Sequence, residues 1–511
     1  MRSTWLALAA LGGVAFGCSS TDASGGGNES SGGAGGWLMG EEPTATPQEA
    51  EVPDAKTPTP PNGTGGSAGS GPTGGSGGAG LGENLATVCP GYDKTKYSHT
   101  LIASAADPGN TASAQRARES ILGGEPPVPG SVRLTDFVNL FAWSAASNNT
   151  TADAVGGKVE LRTRSIEGQK IATQFDLFVG VTAGKVARPR VVLTLLVDAT
   201  LTAKALDKTK AVIEGLGKGL LPNDHVTLMS ADPTLPVVEQ DATVDGIPGL
   251  AEQLATGSGT LGARLPEALG HAAKFPAGTW NRVVVISDGE ENWQEIDFSK
   301  VEAAATASKI FTTTIGVSGD AGYGEPTLFR LSHAGRGRYL YADASIATLV
   351  AERFEEIFGL ARDKVRVRVD LPSYMYSLDP EPVGGGGVPR DKYLAPGETA
   401  RFLFHVATCA ELAIQDSTLG MLENLTVSVD SETLQGQPQS TTLKSQIMKK
   451  YLGVFDNPEL DKMAGIQAFV DALKYPEKNR FTAATEQLSA LTAAPGPELL
   501  SLLGQHPANK P

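Results

Sequence analysis

The stretch VVLTLLVDATLT, Val191 to Thr202, sets seven mostly apolar residues before one carboxylate and two alternating hydroxyls. A short, uniformly apolar, β-branched run fits a strand covered on both faces. A carboxylate at the end of such a strand is costly to bury unless something pairs with it. Asp198, Thr200 and Thr202 stand at i, i+2 and i+4, so an extended backbone points all three the same way. A second run of this kind, NRVVVISDG, ends in Asp288.

Around these two runs, residues 188–361 alternate strand and helix patterns. RVVLTLLVD precedes AKALDKTKAVIEGLGKGL, and NRVVVISDG precedes FSKVEAAATAS. Continuous apolar strands separated by helices predict an α/β fold, a Rossmann-like doubly wound parallel sheet. Ligands of such sheets collect at the carboxyl ends of the strands, where the winding reverses. If the two Asp-ended strands are neighbours, Asp198 and Asp288 converge, and two close carboxylates repel unless a cation lies between them. Oxygen-only donors suit a hard ion: Mg2+ first, with Ca2+ or Mn2+ as alternatives. Two carboxylates and neutral hydroxyls leave a divalent ion able to take one more anionic oxygen, such as an Asp or Glu of a protein partner.

This pattern resembles the metal-ion-dependent adhesion site of von Willebrand factor type A domains. The family's Asp-x-Ser-x-Ser motif corresponds to Asp198-Ala199-Thr200-Leu201-Thr202, with Thr at both serine positions. Its later Thr/Ser-Asp-Gly turn corresponds to Ser287-Asp288-Gly289. Its middle Gly-Ser/Gly-Thr loop falls on Gly257-Ser258-Gly259-Thr260-Leu261-Gly262. There an ungapped reading puts Gly259 in the Thr position, so Thr260 is the candidate ligand and Ser258 the alternative. The resemblance extends over roughly residues 95–500, to bacterial lipoproteins with a preceding domain and a β/helical end. Asn110-Thr111-Ala112-Ser113 stands where that group has Asp-Thr-Ala-Ser, and GRGRYLYADASIATLVAERFEEIF is similar to its segment after the sheet.

The flanks read differently. Residues 85–187 mix helical composition, as in TASAQRARESIL, with alternating strands such as KVELRTRSI and QFDLFVGVTA, an N-terminal α+β domain. Residues 362–446 alternate again in KVRVRVDL, ARFLFHVAT and NLTVSVDS, a β-sandwich-like module. Residues 447–511 are a helical segment. Residues 19–84 are rich in Gly, Ser, Pro and Thr, a flexible tether with an r.m.s. span of about 45 Å.

Arg2 followed by the apolar run Trp5 to Phe16 reads as an export signal over residues 1–18, too short to span a bilayer, which needs ~20 residues. Ala15-Phe16-Gly17-Cys18 resembles the bacterial lipoprotein signal, which implies acylation at Cys18 and a lipid-anchored cell-envelope protein. Ser19 is not the Asp that favours inner-membrane retention in some bacteria, so the outer membrane is expected. Cys89 and Cys409 lack metal-ligand spacing, and their pairing stays open.

Net charge is −15, which argues against a nucleic-acid partner. Gly215-Leu216-Gly217-Lys218-Gly219 lacks the phosphate-loop order, and no HExxH pair or GxSxG elbow occurs. No catalytic residue is assigned, and the expected role is protein binding rather than turnover. The alternatives are a surface metal-dependent hydrolase using Asp198 and Asp288, and a structural lipoprotein with a non-functional metal site. Mass spectrometry of the mature N-terminus checks the anchor: a diacylglyceryl-modified terminus at Cys18 is expected, and an unmodified terminus beyond Cys18 contradicts it.

Overall fold

The computed structural model describes residues 100–103, 109–141, 143, 155–166, 169–241, 246–254, 256–276, 278–290, 295–318, 322–372, 375–378, 392–408, 424–446 and 457–509. Cys18, Cys89, Cys409 and the expected tether lie outside them. In chain order the first elements are β1 (Thr100–Ala103), α1 (Ala112–Leu122), α2 (Leu134–Leu140), β2 (Val155–Ile166) and β3 (Gln169–Ala183). The α/β portion follows: β4 (Val191–Val197), α3 (Ala203–Gly219), β5 (His225–Ser230), β6 (Val238–Asp241), α4 (Gly246–Ala251), α5 (Leu261–Ala272), β7 (Trp280–Ser287), α6 (Phe298–Ala307), β8 (Phe311–Gly316), α7 (Glu325–Ala334), β9 (Arg336–Tyr341), α8 (Ile346–Glu352) and α9 (Phe354–Phe358). The remainder comprises β10 (Arg362–Asp370), β11 (Met375–Ser377), β12 (Lys392–Leu394), β13 (Thr399–Thr408), β14 (Asn424–Glu432), β15 (Pro438–Gln446), α10 (Pro458–Lys474), α11 (Lys478–Ser489) and α12 (Gly496–Gln505).

β4 and β7 are buried along their whole length, as their apolar runs demand. They pair in parallel at the centre of a six-stranded sheet of order β6-β5-β4-β7-β8-β9, in which only β6 runs antiparallel. Alternate residues of the central strands feed two cores. Leu193, Leu195, Val284 and Ile286 pack with Val212 and Leu216 of α3 and with Phe354 and Phe358 of α9. Leu196, Val283 and Val285 pack with Leu265 and Ala268 of α5, Val301 of α6 and Leu331 of α7. Helices therefore cover both faces, and the chain reverses its winding between β4 and β7. This is the doubly wound Rossmann-like sheet expected from the sequence.

The flanking segments fold together. β2 and β3 of the 85–187 stretch join β11 and β13 of the 362–446 stretch in one sheet, β11-β13-β3-β2. β1 joins β10, β12, β14 and β15 in the other. Val159, Leu177 and Val179 face Val367, Val427 and Val429 in a shared core, a two-sheet sandwich. The sequence reading sets these strands in two separate modules, residues 85–187 and 362–446, on either side of the α/β portion. Strand alternation marks which face is buried but not which distant strand will pair, and the pairing here spans the whole α/β portion. The terminal helices α10, α11 and α12 pack with α1 and α2 in a third core that includes Phe137, Phe469 and Leu499.

The sandwich docks at the amino ends of the parallel strands. Arg338, at the start of β9, donates to Glu398 at 2.6 Å with both side chains buried. Arg336 pairs with Asp363 at 2.6 Å, and Phe311 stacks on Tyr393 with ring centroids 4.7 Å apart. The carboxyl ends therefore point away from the sandwich. On the outer edge of the sheet, β9 meets two side-chain amides and one backbone N–H rather than another strand. Asn110 Oδ1 accepts from Tyr339 N at 2.8 Å, Gln115 Oε1 accepts from Tyr341 N at 3.1 Å, and Thr111 N donates to Tyr339 O at 3.1 Å.

The Arg338–Glu398 pair yields a prediction. Removing one partner leaves a buried charge uncompensated, at a cost of roughly 3–5 kcal/mol. Glu398→Gln should lower the urea midpoint accordingly; an unchanged midpoint would show that solvent reaches the pair.

Candidate functional site

The register Val197↔Ile286 brings the ends of β4 and β7 side by side. Asp198 N donates to Ile286 O at 2.9 Å, continuing the ladder by one residue. The Asp198 carboxylate is buried and fully engaged. Its Oδ1 accepts from Thr200 N and from Thr200 Oγ1, each at 2.8 Å. Its Oδ2 accepts from Ser287 Oγ at 2.7 Å, and the same hydroxyl accepts from Gly289 N at 2.9 Å. Ser287 thus links the two strand ends.

Asp288 lies one residue on. Its Oδ1 accepts from Glu290 N at 3.0 Å, and its carbonyl accepts from Gly324 N at 2.8 Å. Gly289 takes a positive φ of 76°, and a Cβ there would stand 2.4 Å from Gly324 O, so the turn requires glycine. Burial raises the pKa of Asp288; the charges of Asp198 and Glu290 add to the rise, and the Glu290 N–H bond opposes it. The two carboxylates are close enough to feel each other, as the strand pairing requires.

The hydroxyls divide by role. Thr200 is exposed and donates its proton to Asp198, which leaves the lone pairs of its oxygen turned to other partners. Thr202 caps α3, accepting from Ala205 N at 3.3 Å. Thr260 caps α5 in the same way, accepting from Ala263 N at 3.3 Å. A hydroxyl oxygen accepts twice, so neither cap exhausts its residue. Among the described residues no hydrogen bond joins Thr260 or Ser258 to Asp198 or Asp288. The structure brings Asp198, Thr200, Ser287 and Asp288 into one constellation, and it brings the middle loop alongside through its backbone: Gly257 N donates to Ala199 O at 2.8 Å.

That loop is held by a residue the sequence reading did not single out. Asp232, just past β5, accepts from Thr234 N at 2.8 Å and Thr234 Oγ1 at 2.7 Å on one oxygen. Its other oxygen accepts from Ser258 N at 2.8 Å, and these bonds hold its pKa below the usual carboxylate range. A Cβ on Gly257 would sit 2.2 Å from Asp232 Oδ2, so glycine lets the loop approach. The signal was in the sequence: Asp232-Pro233-Thr234 repeats the Asp-x-Thr spacing directly after a strand. Asp343 and Ser345, after β9, form the same turn at 2.9 and 2.7 Å.

Among the described residues, no three His, Cys, Asp or Glu side chains gather as a metal-binding group. The donor set at the strand ends is two carboxylates with neutral hydroxyls. That set fits a hard divalent ion, since Thr200 and Thr202 each retain acceptor capacity.

Among solved structures, the chain is similar to a von Willebrand factor type A protein from Catenulispora acidiphila, at 12% identity over 67% of this chain and 88% of that one, TM-score 0.39. It is similar to an aerotolerance-related membrane protein from Bacteroides fragilis NCTC 9343, at 19% identity over 32% of this chain and 96% of that one, TM-score 0.26. It is also similar to the conserved hypothetical protein BatB from Bacteroides thetaiotaomicron, at 16% identity over 33% and 98%, TM-score 0.27. No family model and no curated protein sequence matches the chain.

The raised pKa of Asp288 has a defined sign. The folded carboxyl holds its proton more tightly than the unfolded one, so stability falls as pH rises through the carboxylate range. At neutral pH that loss is complete. Asp288→Asn keeps an acceptor for Glu290 N and removes the charge. In EDTA at neutral pH it should melt above the wild type, and the advantage should fade below about pH 3, where carboxyls are protonated in both states. A variant that melts lower at neutral pH would contradict this.

Proposed function

We propose that this is a lipid-anchored cell-envelope protein whose doubly wound domain is of the von Willebrand factor type A kind and binds a protein partner through a metal-ion-dependent adhesion site. The observation that carries the reading is the paired strand ends: Asp198 with Thr200 and Thr202 just past β4, and Asp288 just past β7, at the point where the sheet reverses its winding. Asp198 and Asp288 supply charge, Thr200 and Thr202 supply neutral oxygens, and Thr260 completes the set. A bound Mg2+ would supply Lewis acidity toward one outside carboxylate. The protein's residues hold the donors in place: Ser287 ties Asp198 to β7, and Asp232 holds the 257–260 loop against Ala199. The role is binding, without turnover, in the outer membrane through the Cys18 lipid; the partner presents an acidic residue.

One observation favours a second reading, a structural lipoprotein with a non-functional metal site. Both Asp198 oxygens are already hydrogen-bonded, and the same Asp-x-Thr/Ser turn recurs at Asp232 and Asp343, where it only shapes a loop.

A titration separates the two. A ligand that binds only the folded state at a hundredfold excess over Kd stabilises it by about 2.7 kcal/mol. The adhesion reading expects melting to rise with Mg2+, the rise to vanish in Asp198→Ala, and capture of an envelope protein to be lost in EDTA. Equal melting in EDTA and millimolar Mg2+ supports the second reading. Loss of hydrolysis of a surface substrate in Asp198→Ala would instead favour a metal-dependent hydrolase.

A further inference from the structure

Two arginines from the segment ahead of the doubly wound sheet meet one acid at the carboxyl edge. Glu325 opens α7, and each of its carboxylate oxygens is taken by a different cation. Oε2 accepts from Nη1 of Arg116, in α1, at 2.8 Å. Oε1 accepts from Nη1 of Arg133, the residue before α2, at 2.5 Å. Both arginines are themselves held. The Arg133 guanidinium also donates to Asp136 Oδ2 at 3.2 Å and lies 5.0 Å over the ring of Phe329 in α7. Asp136 in turn accepts from Ser113 N at 2.9 Å, which ties α1 to the turn that carries Arg133. Arg116 lies 4.7 Å over the ring of Tyr323, whose hydroxyl bonds that of Tyr339 at 2.6 Å.

The residue before Glu325 touches the strand-end site. Gly324 N donates to Asp288 O at 2.8 Å, and a Cβ on Gly324 would overlap Gly289 O, so two glycine backbones lie in direct contact. No side chain stands between them to absorb a displacement, and close-packed groups transmit one. A second tie runs from α1 to the other half of the site. Glu119 pairs with Lys208 Nζ at 2.7 Å, and Lys208 belongs to α3, the helix that Thr202 caps. Glu119 also accepts from the hydroxyl of Tyr341, the last residue of β9. Charged side chains of one preceding segment thus reach the start of α7 and the helix that follows β4.

We propose that Glu325 is a positioning residue for the Asp288 turn, and that Arg116 and Arg133, from outside the sheet, set the geometry of the strand-end site through it. The two arginines fix the Glu325 carboxylate by charge-assisted bonds. Glu325 fixes the first turn of α7, and Gly324 holds the Asp288 carbonyl and packs on Gly289. That the turn delivers a metal ligand rests on the adhesion-site reading; that Glu325 sets the turn does not.

Amide hydrogen exchange of the full chain in EDTA reads this coupling without any metal. The reporters are the amides of Gly324, bonded to Asp288 O, and of Gly289, bonded to Ser287 Oγ. The control is the amide of Ser258, which Asp232 holds on the same edge. Glu325→Gln should speed exchange at both reporters by roughly tenfold or more and leave the control unchanged. Arg116→Met and Arg133→Met should each speed the reporters less, and adding either to Glu325→Gln should change little further, because both act through that carboxylate. A Mg2+ titration of the melting temperature then reads the site, and Glu325→Gln should need severalfold more Mg2+ for the same rise. The proposal is overturned if the reporters exchange as in the wild type, if the control accelerates as much as they do, if the three substitutions simply add, or if variant and wild type share one Mg2+ dependence. A wild type whose melting ignores Mg2+ overturns the adhesion-site reading instead, and the exchange rates alone then decide the role of Glu325.

Discussion

Asp198 must be buried because β4 is. The strand is covered on both faces and sits at the centre of the sheet, and the residue that follows it is buried with it. A carboxylate there needs donors, and the structure supplies three from two directions: Thr200 from its own loop and Ser287 from the neighbouring strand. That requirement fixes the parallel alignment of β4 with β7, the tight Ser287-Asp288-Gly289 turn, and the close approach of Gly289 to Gly324. The layout of the carboxyl edge follows from satisfying one acid.

The central sheet was legible because its signal is local. A short run of mostly apolar, largely β-branched residues fits a covered strand, and Asp at the end of two such strands marks one edge. Thr202 and Thr260 read from the sequence as candidate metal ligands, and the structure gives each a further task as the N-cap of the helix that follows it. The sandwich was legible only in part. ARFLFHVAT announces a strand, β13, yet nothing in it says that it will lie against β3, whose sequence lies more than two hundred residues earlier. Asp232 escaped for a related reason. Its strand is shorter and begins with a polar His225, so the acid after it was not singled out, whereas its task is to hold a loop distant in sequence.

The junction between sheet and sandwich relies on charge where apolar contact would have sufficed. Arg282 and Arg338 are both buried, Arg282 stacking on Phe311 and donating to Phe358 O, Arg338 pairing with Glu398. Buried ion pairs add little net stability over apolar replacements, but misplacing them is expensive. Here they penalise any sandwich position that leaves Arg338 without Glu398. The junction is thus selective in geometry.

The way β9 ends the sheet has a consequence for self-association. An unpaired outer strand normally offers a row of donors and acceptors to any passing chain. Here two amide side chains, Asn110 and Gln115, with the single backbone N–H of Thr111, occupy that row. A side-chain amide can satisfy a strand, but it offers no backbone of its own for a further strand to pair with. α1 therefore works as a terminator of ladder growth. Were it to peel away, the strand it covers would become adhesive toward a second molecule at the same moment, so the resistance of this fold to fibril-like stacking depends on a helix outside the sheet.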